Sequence, residues 1–380
     1  MFIEFTQEQT MFQGAIRDFA EKEIAPLVEE AEEKERFPVA LFPRMGALGY
    51  LCVSHPAKYG AGELGKVGDC IAVEEIARIA SGIASAIMVQ GGIGTVILVR
   101  QGTEEQKQKY LIPAIKGEKI AAFALTEPNA GSDAAAIQTT AVKEGDSYVI
   151  NGTKMFITNG PIADFVVVMS YTDKEAGPRK GMSAFVVEKG TPGFTVARKL
   201  SKVGNRSAET GELAFQDCRV PAENLLGEAG EGFGYMLATL ARGRVSHAAR
   251  SLGVARAAFE ASLQYAQERV QFGQPIARFQ AIRFKLARMA TDIEAARWLM
   301  YRAAWLVDNG QERMKEVAMA KFFASEVAQQ AVTEAMHIHG GYGYMSEHPV
   351  QRYYRDAKLF TITEGTSEIQ QTIIARELGI

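Results

Sequence analysis

Cysteine is scarce. Cys52, Cys70 and Cys218 are the only three in 380 residues, far apart and with no C-x-x-C pair. Neither a disulfide framework nor a cysteine zinc site is supported, and a reducing, cytosolic setting is expected. The five histidines (His55, His247, His337, His339 and His348) show no H-E-x-x-H spacing, so no standard metal-ligand pattern is present. A G-x-S-x-G nucleophile elbow is also missing. Nor is there an excess of charge: 42 Lys and Arg against 45 Asp and Glu give a net charge of −3. That balance argues against a surface built to track nucleic-acid phosphates. The start, Met1–Phe5, lacks the basic region and cleavage site of a secretory peptide. One uncharged run, residues 79–99, approaches the length of a membrane span. Gly82, Gly91, Gly92 and Gly94 interrupt it, which predicts two buried helices joined by a turn rather than a span.

What is present is an ordinary globular composition, 47% apolar and 23% charged, long enough for two or three structural units. Residues 1–120 read as helices, with Phe12, Ile16, Phe19 and Leu27 near helical spacing and Pro26 as a break. Thr103–Gln106 has the form of a capping box. Over 121–226 the period changes to two. Short β-rich runs follow one another, divided by turn signals such as Asn151-Gly152, Asn159-Gly160-Pro161 and Thr191-Pro192-Gly193. With no helix between them, an antiparallel barrel or sandwich is expected. Over 227–380 the pattern is helical again. Apolar positions from Phe279 to Val307 alternate spacings of three and four, and Asn309-Gly310 ends them. That is the pattern of a bundle helix, and a C-terminal four-helix bundle is expected. The fold class is α+β multidomain, in the order helical domain, β domain, bundle.

Taken singly, the motifs are weak. Gly60-Ala61-Gly62-Glu63-Leu64-Gly65 spells G-x-G-x-x-G, but it lies among helices with no acid about 20 residues on, so dinucleotide binding of that type is rejected. The turn Thr126–Asp133 offers hydroxyls and backbone donors to a polar ring edge or phosphate, and is equally a plain structural turn. Gly340-Gly341-Tyr342-Gly343-Tyr344 permits close backbone approach, or simply ends a helix. Glu364 is more informative. Thr366 or Ser367 is a good N-cap, so this acid stands just before a helix start. The helix dipole favours its ionised form while an apolar pocket would raise its pKa, and such opposed influences suit a general base.

The pieces gain weight together. The helix–β–helix plan, TEPNAGSD (126–133), FITNG (156–160), ERVQFGQPI (268–276), the glycine turn at 340–344, RDAKLF (355–360) and EGTSEIQ (364–370) resemble the acyl-CoA dehydrogenases over essentially the whole chain. The resemblance implies FAD, an acyl-CoA substrate and oxidation of its Cα–Cβ bond. A carboxylate takes the α-proton and flavin takes the β-hydride, with an electron-transferring flavoprotein as the usual acceptor. An α-proton next to a thioester is weakly acidic, so the developing oxyanion needs preorganised donors. In the family these are the backbone N–H of the catalytic acid and a flavin ribityl hydroxyl. Glu364 aligns with that acid. Some members carry the base on the first helix of the bundle, at the position of Gly243 here.

By the same resemblance, Phe123, Leu125, Thr126, Gly131 and Ser132 line the flavin, with Phe156 and Thr158 on its other side. Arg269, Phe272 and Gln280 reach the FAD of a neighbouring subunit, as do His337, Gly340 and Gly341, which implies a homo-oligomer, most simply a tetramer. Thr366 and Glu368 meet the cofactor near the base, while Ser132, Arg244 and Gly365 meet the substrate. Two positions depart from the pattern: Thr363, where Tyr is frequent, and Phe156, where Trp is frequent. Both leave the acyl group open. A flavin oxidase or monooxygenase, and a non-catalytic nucleic-acid-binding flavoprotein, are the competing readings. Glu364 argues against the first and the net charge of −3 against the second.

Overall fold

The computed structural model describes residues 4–311 and 313–380. Its first third carries α1 (Gln7–Phe19), α2 (Val28–Glu33), α3 (Leu41–Ala47), α4 (Gly65–Ile79), α5 (Ser81–Gly91), α6 (Val96–Gln101), α7 (Glu104–Gln106) and α8 (Ile112–Ile115). Pro26 lies in a short 3-10 turn between α1 and α2. The capping box at Thr103 forms as expected, Gln106 N–H donating to Thr103 Oγ1 at 3.2 Å and Thr103 N–H to Gln106 Oε1 at 2.8 Å. The uncharged run is not one helix. Ala80, in extended conformation, parts α4 from α5, and a turn at 92–95 parts α5 from α6. Its most apolar window is 83% buried, so the run is core.

The middle third is a sheet in the order β6-β7-β3-β2-β4-β5-β8, with β1 added against β4. Its strands are β1 (Ala121–Ala124), β2 (Thr140–Glu144), β3 (Ser147–Thr158), β4 (Phe165–Tyr171), β5 (Met182–Glu188), β6 (Phe194–Lys199), β7 (Thr210–Pro221) and β8 (Leu225–Leu226), with a short turn, α9 (Pro178–Gly181), before β5. The sheet departs from the antiparallel expectation at two pairings. β1 runs parallel to β4, Ala121 opposite Phe165, and β2 meets β4 in parallel at Thr140 and Tyr171. β1 arrives from the helical domain rather than from a hairpin, so no tight turn reverses it against its neighbour.

A second correction concerns Asn151-Gly152, which is not a turn. β3 runs straight through it, with a register shift against β7 between Ile150 and Gly152. A Cβ at Gly152 would lie 2.3 Å from Thr139 Oγ1, and Asn151 Oδ1 accepts from Asp217 N–H on β7. The extra residue is on β7, where Gln216 and Asp217 (φ 47°) stand opposite Asn151, and Gly152 has no side chain where Thr139 crowds β3. β4 lacks alternation because both its faces are buried. Phe165, Val167 and Met169 pack with Leu98, Tyr110 and Met236, while Val166 and Val168 pack with Ile150, Leu213 and Phe215.

The last third contains α10 (Gly232–Glu268), a small hairpin of β9 (Val270–Gln271) and β10 (Gln274–Pro275), α11 (Gln280–Asp308), α12 (Met314–His339), α13 (Val350–Ala357) and α14 (Ser367–Leu378). α12 packs on α10, α11 and α14, which completes the expected bundle. The three–four spacing is the buried face of α11: Leu286, Met289, Ile293, Ala296, Met300, Ala303 and Val307.

A single core joins the N-terminal helices to this bundle, because α4 lies on α10 and α11. Every residue of α4 from Lys66 to Ala77 is buried. Its carboxylates are matched across the junction. Glu74 accepts from Arg256, Arg297 and Tyr301, and Glu75 from Arg17 and Arg256. Pairing of this kind offsets the cost of burying these charges.

Candidate active site

Glu364 sits two residues before the N-cap of α14. Thr366, not Ser367, is that cap, its hydroxyl accepting from Ile369 N–H at 3.3 Å. To enter the cap the chain makes a tight left-handed turn, with φ 57° at Glu364 and 87° at Gly365. A non-glycine residue there is strained and persists only when its surroundings hold it. Three side chains do so. Arg244 Nε donates to Glu364 O at 3.1 Å, Lys321 Nζ to Gly365 O at 2.7 Å, and Gln370 Nε2 to both carbonyls at 3.1 and 3.0 Å.

The carboxyl group itself is left unsatisfied. Glu364 Oε2 is buried without a hydrogen-bond partner among the described residues. Burial raises its pKa above the usual carboxylate value, while Arg244, Lys321, Lys66 and Arg250 pull it back down. The same carboxyl lies over Gly243, the position at which some members of the family carry the base. Among the described residues the Glu364 N–H also meets no backbone acceptor. A basic oxygen and a free donor therefore come from one residue, the combination needed to remove a proton and stabilise the oxyanion that results.

The ends of β1 and β3 bring together the first group of expected cofactor residues. Met155 N–H donates to Thr126 O at 2.8 Å, which joins the turn after β1 to β3. Phe123 and Leu125 are buried, Gly131 and Ser132 are exposed, and Thr158 is half-buried. Phe156, with φ 62°, holds its ring 65% exposed. Beneath the turn, Lys154 Nζ donates to Leu125 O at 3.0 Å and to Glu127 Oε1 at 2.8 Å. Glu127 also accepts from Gln138 N–H and Thr139 N–H, so the turn is fixed before any ligand arrives.

The remaining expected residues lie in a separate region. A cavity of about 580 Å³ is bounded by Tyr265, Arg269, Gln271, Ile276, Ile338, His339, Gly340, Gly341, Tyr342 and Met345. Arg269 has no carboxylate partner among the described residues and stacks on Tyr342, 5.5 Å from its centroid. An uncompensated guanidinium facing glycine backbone fits a diphosphate. His337 does not line this cavity. It is exposed and points to Glu334, while His339 lines it and stacks on Tyr265 at 4.2 Å. Phe272 is 93% exposed, edge-on to Phe279, and Gln280 is exposed at the start of α11. Exposed Phe156 and Phe272, open Gly131 and unpaired Arg269 all fit a bound FAD. No residue of the Glu364 or Thr126 groups lines this cavity.

Lys321, Gln370, Lys154 and His339 were not singled out in the sequence. Only His339 carried a signal, as the other histidine of the His337-x-His339 pair, one position before the glycine turn.

Family models described as acyl-CoA dehydrogenase N-terminal, middle and C-terminal domains match residues 6–118, 122–218 and 230–379. The chain is 47% identical over 373 residues to an acyl-CoA dehydrogenase of Bacillus subtilis (strain 168), covering 98% of each chain. It is 43% identical, with 98% of each chain covered, to the caffeyl-CoA reductase-Etf complex subunit CarC of Acetobacterium woodii. The solved structure of butyryl-CoA dehydrogenase from Megasphaera elsdenii superposes with a TM-score of 0.97 at 43% identity over 100% of both chains. With three domains matched in order over one continuous fold, the chain belongs to the acyl-CoA dehydrogenase family, FAD-dependent oxidoreductases that act on CoA thioesters.

Proposed function

We propose that this protein removes the α-proton and β-hydride of an acyl-CoA to give the trans-2-enoyl-CoA, with Glu364 as the proton acceptor. The observation that carries this is the buried, unpartnered Oε2 of Glu364 on a turn clamped by Arg244, Lys321 and Gln370. The Cα–H bond breaks toward Glu364 and leaves its electron pair to form the C=C bond, while the Cβ hydrogen departs with its own pair. FAD, when bound, supplies the acceptor for that hydride. The Glu364 N–H donates to the thioester oxygen as negative charge develops there. Arg244 holds the Glu364 backbone carbonyl and so fixes the turn from which the carboxyl projects.

Phe123, Leu125, Thr126, Gly131, Ser132, Phe156 and Thr158 would hold the flavin ring. Thr366 and Glu368 approach it near the base, and Ser132, Arg244 and Gly365 meet the substrate. Arg269, Phe272, Gln280, His337, Gly340 and Gly341 would serve the FAD of a second copy in a homotetramer. Their placement in a region apart from Glu364 supports this sharing. An electron-transferring flavoprotein is the proposed acceptor, supported by the relative named as an Etf-complex subunit. That relative's name, a reductase, also favours a second reading in which the same site reduces an enoyl-CoA and Glu364 returns the proton to Cα. A reducing cytosolic setting is supported by three buried, free cysteines.

The test is Glu364→Gln. Gln keeps the shape and removes the basicity, so the variant stays folded and yellow while bleaching by acyl-CoA slows on the order of 10²–10⁴-fold. Bleaching within tenfold of wild type in rapid mixing would mean that Glu364 is only a helix-start acid. A substrate panel beginning with butyryl-CoA assigns the acyl group, and slow reoxidation in air separates a dehydrogenase from an oxidase.

A further inference from the structure

The Glu364–Gly365 turn is held from two helices, and only one of the two cations involved belongs to the expected site. Arg244 comes from α10. The other, Lys321, lies on α12, fully buried, with its ammonium donating to Gly365 O. Among the described residues Lys321 makes no ion pair. A buried ammonium satisfied only by a carbonyl is expensive to keep, and an apolar residue of similar length would fill the same space between α12 and α14 without that cost.

We propose that Lys321 is a positioning residue for the proton-abstracting acid: it ties the Glu364–Gly365 turn to α12 and supplies buried positive charge that keeps the Glu364 carboxyl ionised. This rests on the reading of Glu364 as the base.

The groups facing Glu364 decide how much Lys321 matters. From α10 come Arg244 and Arg250, from α12 Lys321, and from α4 Lys66. Lys66 is neutralised by Asp69 at 2.6 Å. Arg250 keeps its charge but is bonded to Ser81, Ser85 and Asn205 and not to the turn, with its guanidinium 5.1 Å from the Phe360 ring. That leaves Arg244 and Lys321 as the two cations bonded directly to the turn. Lys321 in its own surroundings feels Glu364, Glu326 and Glu368 as favourable and Arg244 as unfavourable. Glu326 is engaged by Ser367 Oγ at 2.7 Å and Glu368 is exposed. Burial lowers the Lys321 ammonium to about 8, so the charge is in place at neutral pH and is lost in mildly alkaline solution.

The signs follow. Removing the positive charge raises the Glu364 pKa further, and the acid limb of flavin reduction moves to higher pH. Adding a proton to Glu364 strengthens nothing at Lys321, so loss of reduction at low pH is not rescued by the lysine.

The experiment compares wild type, Lys321→Met and Lys321→Arg as FAD-loaded enzymes, following flavin bleaching by butyryl-CoA, or by whichever acyl-CoA bleaches the wild type, across pH. Thermal stability and FAD content are measured alongside. In Lys321→Met the acid limb is expected to move up by about one pH unit, as loss of one close opposite charge does, so the rate at the foot of the wild-type limb falls on the order of tenfold. In Lys321→Arg, which keeps charge and donor, the limb stays within a few tenths of a unit of wild type. A Lys321→Met profile that superposes on wild type overturns the proposal. So does an equal shift in Lys321→Arg. Should Lys321→Met lose FAD or unfold, Lys321→Gln takes its place, and its limb must move as described. The base reading fails separately: it fails if Glu364→Gln still bleaches, whereas an inert Glu364→Gln with an unshifted Lys321→Met removes the role of Lys321 alone.

Discussion

The carboxyl of Glu364 lies directly against Gly243: a Cβ built on that glycine would fall 3.0 Å from Oε2 and 3.2 Å from Oε1, with Ile93 at 3.1 Å on its other side. The two positions that carry the base in different members of the family, 121 residues apart in this sequence, thus converge on one point in space. Gly243 is vacant of side chain because Glu364 fills its place.

Gly243→Ala therefore acts on the base without touching it. The added methyl displaces the carboxyl by part of an ångström, and misplacement near 1 Å costs on the order of 10²-fold in rate. FAD content should be unchanged, because the atoms nearest the added methyl belong to Glu364 and Ile93. Rapid-mixing bleaching checks this, and a variant as fast as wild type shows that the carboxyl tolerates displacement.

The acid side of the pH profile reports Glu364. Only its ionised form accepts a proton, and burial raises its pKa from the model-compound value of 4.5. Reduction should therefore fall as pH drops through a value above 4.5, before an ordinary exposed carboxylate would protonate. The residual rate of Glu364→Gln should lack this limb. A wild-type limb at or below 4.5 would show that the cations outweigh burial.

Arg269→Ala should weaken FAD retention, since it removes the charge-assisted donor at the cavity beside Gly340 and Gly341. If a second copy contributes this arginine, the loss of FAD should be accompanied by looser assembly. Gel filtration with absorbance at a flavin wavelength measures both. Unchanged retention and assembly would remove Arg269 from the cofactor site.

His55 provides an acid-stability test. It is 3% exposed, with Nε2 2.8 Å from Thr95 Oγ1, and burial lowers its pKa from 6.5 to about 4. Between those values the unfolded chain binds a proton that the native one refuses. The contribution of neutral His55 is thus present above pH 6.5 and lost as pH falls toward 4, amounting to about 3 kcal/mol. Asp356, raised by burial to about 6, opposes this over part of the same range. His55→Gln should make Tm fall less steeply between pH 6.5 and 5. An unaltered slope would mean that His55 is protonated in the native state.

Much of this was legible in the sequence for local reasons. β4 and β5 were readable at their full lengths because both strands are apolar runs bounded by turn residues, and Thr103 and Thr366 announce helix starts through chemistry confined to four residues. Asn151-Gly152 misled because the same dipeptide serves a hairpin turn or a straight strand crossing a bulge in its neighbour, and only Thr139 and Asp217, distant in sequence, decide between them. Lys321 was invisible for the opposite reason. A lysine on an amphipathic helix reads as solvent-facing until the carbonyl of Gly365, 44 residues later, is placed against it. The parallel pairing of β1 and the place of His339 in the cavity wall likewise depend on long-range packing that carries no local mark.

The burial of α4 between the first and last thirds of the chain has a consequence for biosynthesis. Glu74 and Glu75 on this helix find Arg256 and Arg297, and Lys66 finds Ser246, all of them made later than the whole β region. A nascent chain that has reached residue 226 holds α4 with Glu74 unmatched, Glu75 met by Arg17 but not yet by Arg256, and the face that packs on α10 and α11 uncovered. The β region, whose own clusters draw mainly on residues 97–226, can already close at that stage. In order of assembly the middle therefore precedes the beginning, and the first helices must wait, shielded by other means, for the end of the chain to arrive.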